Sequence, residues 1–290
     1  MKIQDIINDV RKKIKNKELI NREEIVNYLD ARDLLLNEGF INSYNEEIKK
    51  VYWELFSDNK YFEEKHKTVL HDIQSKDTST RLNASKKIAK EPYEEYSNFR
   101  KFWLKDPRTI DILLHVLENE KEEEILLNLV NFFGQNAIRY SYDDINIFEK
   151  IIIKYDKVSN KGKITIASNS LLFPTEKKWN YVLEAIKLKP YSEVITKFDV
   201  PLLINKKEIP NDLRKEILNN LAMIAKQSKG IKLTNKSVQL ILNLVNKNEK
   251  QILEDLRMSI DTNNLGDYTN GALNTKIYEL DIQNTSMDNS

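Results

Sequence analysis

The sequence predicts an all-α fold, an α-solenoid of stacked helical hairpins with an N-terminal helical cap. Three observations carry this. Apolar residues recur at helical spacing from end to end, glycine and proline are scarce at six each in 290 residues, and polar turns return at intervals of about forty residues. Sandwiches and barrels need far more turn residues than this chain supplies.

Composition narrows the function classes. Apolar residues make up 40% and charged residues 31% of the chain, enough to build a core and too apolar for a disordered chain. With no cysteine, disulfide frameworks, thiolate metal sites and cysteine nucleophiles are excluded. The first ten residues contain acids and no continuous apolar stretch, so no secretory leader is expected. The densest apolar run, Ile125 to Phe133, is broken by Asn128 and Asn131 and is too short to span a bilayer. The expected location is cytoplasmic, with no membrane partner.

Residues 1–58 read as the cap, three helices. The first puts Ile3, Ile6, Ile7, Val10 and Ile14 on one stripe. The second opens on Asn21 with Glu24 three residues on, a pairing that satisfies two orphan amides, and ends before Gly39. The third, about 44–56, carries Ile48, Val51, Tyr52 and Leu55.

Residues 59–261 read as the repeats. Helices are expected near 60–75, 78–88, 108–120, 121–138 and 143–155, then from 160, and over 175–188, 211–226, 235–247 and 249–260. Asp106-Pro107 and Pro210-Asn211 supply the start signals of two of them. One helix of each pair begins near 78, 121, 160, 211 and 249, which gives spacings of about 43, 39, 51 and 38 residues. Residues 151–168 also fit a β-hairpin around Ser159–Gly162, because Lys163-Ile164-Thr165-Ile166 alternates with period two. Helices are preferred, since Ile145, Phe148, Ile152 and then Ile164, Ala167, Leu171 keep helical spacing. Residues 262–290, rich in Asn, Thr, Ser and Asp, read as a polar, mostly mobile tail; the alternative is one short docked segment, with Leu273, Ile277, Leu280 and Ile282 as its remaining apolar pattern.

Asp77, Arg81, Ala84 and Ile88 place an acid in a turn before an arginine, a small residue and an aliphatic. In this the chain resembles the HEAT and armadillo superfamily of helical repeats, over about residues 60–261. The resemblance implies a curved solenoid whose ridges or concave face bind a partner, and fold alone does not set function. Physical reasoning reaches the same architecture: a helix pair has two apolar faces, and only its neighbours can cover both.

No catalytic constellation is legible. Gly266 and Gly271 have phosphate-loop spacing, but Ala272-Leu273 follows where Lys and a hydroxyl residue are needed. His66 and His71 are five apart and point to different sides of a helix, so no metal or cofactor site is expected. The paired acids, such as Glu122-Glu123-Glu124, fall in helix first turns, where negative charge favours the macrodipole.

Two features remain as binding candidates. Tyr96, Arg100, Trp103, Lys105 and Arg108 interleave aromatic and basic side chains, as a partner-binding patch would, although the preferred reading is that Phe99, Phe102 and Trp103 are core, filling a joint between repeats. Charge is also uneven: residues 1–150 sum to about −4, residues 151–250 to about +10 and residues 251–290 to about −5. The leading expectation is a non-enzymatic protein-binding repeat protein. By analogy, one compact form of it is a bacterial immunity protein that neutralises a toxin. The alternative is a nucleic-acid-binding protein using the Lys-rich stretch 151–250, such as the HEAT-like glycosylases of alkylated bases.

Overall fold

The computed structural model of the chain describes residues 12, 68–94, 107–140 and 145–287. Every regular element among them is a helix, and no helix among them is long and apolar enough to cross a membrane. The expectations for the N-terminal cap fall outside the described residues. The chain divides into two compact units, Met1–Leu129 and Val130–Ser290, each described by itself.

In the first unit α1 (Thr78–Glu94) starts where Asp77 accepts hydrogen bonds from the amide of Thr80 and the hydroxyls of Ser79 and Thr80. These bonds pull the Asp77 carboxyl down to about 2. Val69, Ile73, Ala84 and Ile88 of this unit are buried, as are Leu113, Leu114 and Leu117 of α2 (Pro107–Asn119). Arg81 crosses to Glu120, Nε to Oε2 at 2.9 Å, and its Nη1 donates to the carbonyls of Ser75 and Lys76. Glu120 in turn accepts the amides of Lys121 and Glu122, which open α3 (Glu123–Tyr140). Burial alone would raise Glu120, but Arg81 and the two amides outweigh it and hold it below the ordinary carboxylate range. Ser85 of α1 accepts from Asn128 of α3 at 3.0 Å.

The second unit contains α4 (Ile145–Ile152), α5 (Asn160–Ser170), α6 (Lys178–Ala185), α7 (Tyr191–Ile204), α8 (Asn211–Gln227), α9 (Ile231–Leu244), α10 (Lys250–Ser259) and α11 (Asp267–Met287). Across residues 151–168 α4 ends at Ile152, a short 3-10 helix covers Tyr155–Lys157, and Ser159 accepts the amide of Gly162 to start α5 at Asn160. Helix therefore prevails over the hairpin reading there.

The packing within this unit forms two rows. α5 packs on α7, α7 on α9 and α9 on α11; α6 packs on α8 and α8 on α10. The rows are joined through α5–α6, α8–α9 and α10–α11. Helix starts within the first row are 31, 40 and 36 residues apart, and within the second 33 and 39. The expected series of starts at 160, 211 and 249 thus steps from one row to the other.

Two elements depart from expectation. The gap of about 51 residues after 160 conceals α7, whose apolar side chains face both inward (Val194, Ile195, Phe198, Leu202) and outward (Val200, Ile204). Prolines at 190 and 201 punctuate it further, so no clean stripe marks it in the sequence. The C-terminal region, expected to be mostly mobile with one short docked segment as the alternative, contains the 21-residue helix α11, docked through buried Leu273, Ile277 and Leu280. Smaller shifts also occur: α9 begins at Ile231, and Pro210, not Asn211, is the N-cap of α8, with no side-chain cap bond.

Buried cations pin successive helices. Lys178, in the first turn of α6, is 3% exposed and donates to the carbonyls of Leu171 and Phe173, to Asn205 Oδ1 and to Glu208. Arg214, in the first turn of α8, reaches the Lys206 and Leu244 carbonyls and Glu249, just ahead of α10. Arg81 follows the same rule in the first unit. In each case a cation satisfies carbonyls of the turn before its own helix and a carboxylate ahead of a later helix.

Candidate functional site

An open groove lies between α9 and α11. At one end the two helices are tied together: the Gly266 amide donates to Asn235 Oδ1 at 3.0 Å, and Gln239 donates to Thr269 Oγ1. A Cβ at Gly266 would stand 2.9 Å from the Asn235 amide nitrogen, so glycine permits the approach. Beyond this tie, α11 offers small residues, Gly271, Ala272 and Thr275, opposite Leu242 and Asn243 of α9. Small side chains leave the interhelix space unfilled, and an open groove of about 800 Å³ results.

Tyr268, 82% exposed, stands at the lip of this groove. Further along α11, Tyr278 and Ile282 are also largely exposed. A single exposed apolar residue is ordinary, but three along one helix beside a groove form a surface on which a partner can bury area.

The groove is charged at its ends. Asp267 stands in the first turn of α11, and Lys276 lines the wall about two and a half turns on. Near Lys276 lies Lys206, which donates to the carbonyl of Asn243. Burial, and then the nearby Arg214 and Lys276, pull the Lys206 ammonium below its ordinary value. Lys276 has Glu279 as a loose counter-ion at 3.8 Å.

Asp267 and Glu279 both line the groove, but twelve helical residues separate them by about 18 Å along the axis, too far to share a substrate as acid and base. No group of three His, Asp or Glu suited to a metal occurs among the described residues. His71 is exposed beside Asp72, His115 contacts Asn119, and His66 lies outside the described residues.

The residues singled out in the sequence fall elsewhere. Tyr96, Arg100, Trp103 and Lys105 lie outside the described residues, and Arg108 stands in the first turn of α2. Of the Lys-rich stretch 151–250, Lys163, Lys177, Lys178 and Lys187 are engaged with carboxylates, whereas Lys226, Lys229, Lys232 and Lys236 are exposed. No protein-family model, curated protein or solved structure matches the chain.

Proposed function

We propose that the chain is a non-enzymatic helical-repeat protein, an α-solenoid, that binds a protein partner by seating a helix of that partner in the groove between α9 and α11. The observation that carries this is the groove itself. It is open, floored by small residues and edged by an exposed tyrosine, with Asp267 at one end and Lys276, loosely paired with Glu279, toward the other. From Asp267 to Glu279 it matches a partner helix of about three turns. Such a helix would carry an acid near Lys276 and a base near Asp267. The two-row packing of α5–α11 supports the solenoid reading, and a toxin-neutralising immunity protein is one form that a protein of this kind takes.

The test is a selection of displayed helical peptides on the full-length protein. Enriched peptides are expected to lose binding to Ala272→Trp, which fills the groove from a half-buried position, and to weaken on Tyr268→Ala. Enrichment indifferent to Ala272→Trp, or no enrichment, would remove the groove from the account.

A further inference from the structure

The turn between α8 and α9 concentrates charge in a way the groove does not use. No Asp or Glu occurs from Ile217 to Asn248, and the segment carries Lys226, Lys229, Lys232, Lys236 and Lys247. The first four sit on the α8–α9 turn and its flanks, and all four are exposed. No ion pair engages Lys226, Lys229, Lys232 or Lys236 among the described residues. Asp267, brought to this end of α9 by the Asn235–Gly266 bond, does not pair with them either.

Their placement runs against local stability. Lys232 lies in the first turn of α9 and Lys236 one turn on, where the helix macrodipole already presents positive charge, and the two share a face at i, i+4. The turn that holds them is rigid. Ser228 is buried and donates to the carbonyl of Ile224 at 2.7 Å, and α8 packs along α9. Amid the lysines Ile231 projects, 53% exposed, next to Gly230, around which a Cβ would meet open space.

We infer that this turn is a second contact surface for the protein partner, and that it fits an acidic protein face with an apolar recess at its centre. The inference rests on the protein-binding reading above. An exposed apolar residue flanked by cations matches the apolar centre and charged rim of a protein interface. A phosphate backbone offers Ile231 nothing to bury against, and the turn provides no aromatic ring on which a base could stack. Cations on a fixed turn also steer an acidic partner toward it before contact.

Fluorescence anisotropy with full-length protein tests this. The probe is a synthetic peptide of Glu and Asp flanking one central Leu, compared with a 20-base-pair DNA duplex. The acidic peptide is expected to bind at low salt and weaken as salt rises. Lys229→Glu with Lys232→Glu should weaken it about tenfold or more. Ile231→Ser should weaken it about fivefold at every salt concentration. Ala272→Trp should leave it unchanged. Overturning results are no peptide binding at low salt, or a duplex that displaces the peptide while Ile231→Ser has no effect, which assigns the turn to phosphate. If Ala272→Trp abolishes peptide binding, acidic recognition belongs to the groove; the inference then fails while the protein-binding reading stands.

Discussion

Arg214 and Glu249 form a buried pair, Nε to Oε1 at 2.7 Å, with side chains only 9% and 10% exposed. Each is also committed to backbone: Arg214 to the carbonyls of Lys206 and Leu244, Glu249 to the amide of Asn246 in a capping box that starts the turn before α10. Removing the arginine strands a buried carboxylate and two carbonyls together. Arg214→Met is therefore expected to cost about 3–5 kcal/mol, measured by urea denaturation. Glu249→Gln should cost less, because a Gln carbonyl can still accept from the Asn246 amide. Equal losses for the two variants would mean that the charge, not the geometry, is what matters.

Gly134 of α3 faces Asn169 of α5 within the second unit. A Cβ there would lie 2.1 Å from Asn169 Oδ1 and 2.5 Å from Asn169 Cβ. Alanine ordinarily favours a helix over glycine by about 1 kcal/mol. Here Gly134→Ala is expected to destabilise instead, by about 1–3 kcal/mol, because the clash reaches a carbon next to the backbone. Asn169→Ala in the same chain should not rescue it, since it retains that Cβ. Thermal unfolding of the three variants distinguishes this from a clash with the amide tip alone.

Asp77 gives a pH signature. Its folded value of about 2 lies below the ordinary 3.8, so the folded state holds fewer protons across that interval. The stabilisation is complete above about pH 4 and drains away as pH falls toward 2. Carboxyl chemical shifts followed by NMR should report this low midpoint. Asp77→Ala should lower Tm at pH 7 and flatten the acid limb; a midpoint near 4 would mean the cap does not form in solution.

Lys232 tests whether the α8–α9 turn trades stability for contact. Lys232→Glu places a favourable charge in the first turn of α9 and relieves repulsion from Lys229 and Lys236, so Tm is expected to rise. A drop in Tm for Lys232→Glu would show that the lysine is engaged in the fold.

Sequence pattern carried the helices with one apolar stripe and failed where a helix has two. α2, α8 and α10 bury one face and read clearly. α7 has apolar residues inside and out, and α11 mixes buried Leu273 and Ile277 with exposed Tyr268 and Tyr278, so periodicity cancels in both. The groove was illegible for a related reason. Gly266 and Gly271 attract attention only for a phosphate loop they cannot complete; in the fold the first lets α11 approach Asn235, and the second leaves space beside α9. Which helices become neighbours across a row is fixed by packing between segments thirty to forty residues apart, and local spacing cannot choose between the two rows.

Hydrogen–deuterium exchange of Arg214→Met, mapped by peptide across residues 145–287, tests the repeat account most directly. Helices that depend on nearest neighbours should respond locally, with faster exchange in α8, α9 and α10 and little change in α4 and α5. A uniform acceleration across all eight helices would contradict it, because it would mean that they melt around one shared core.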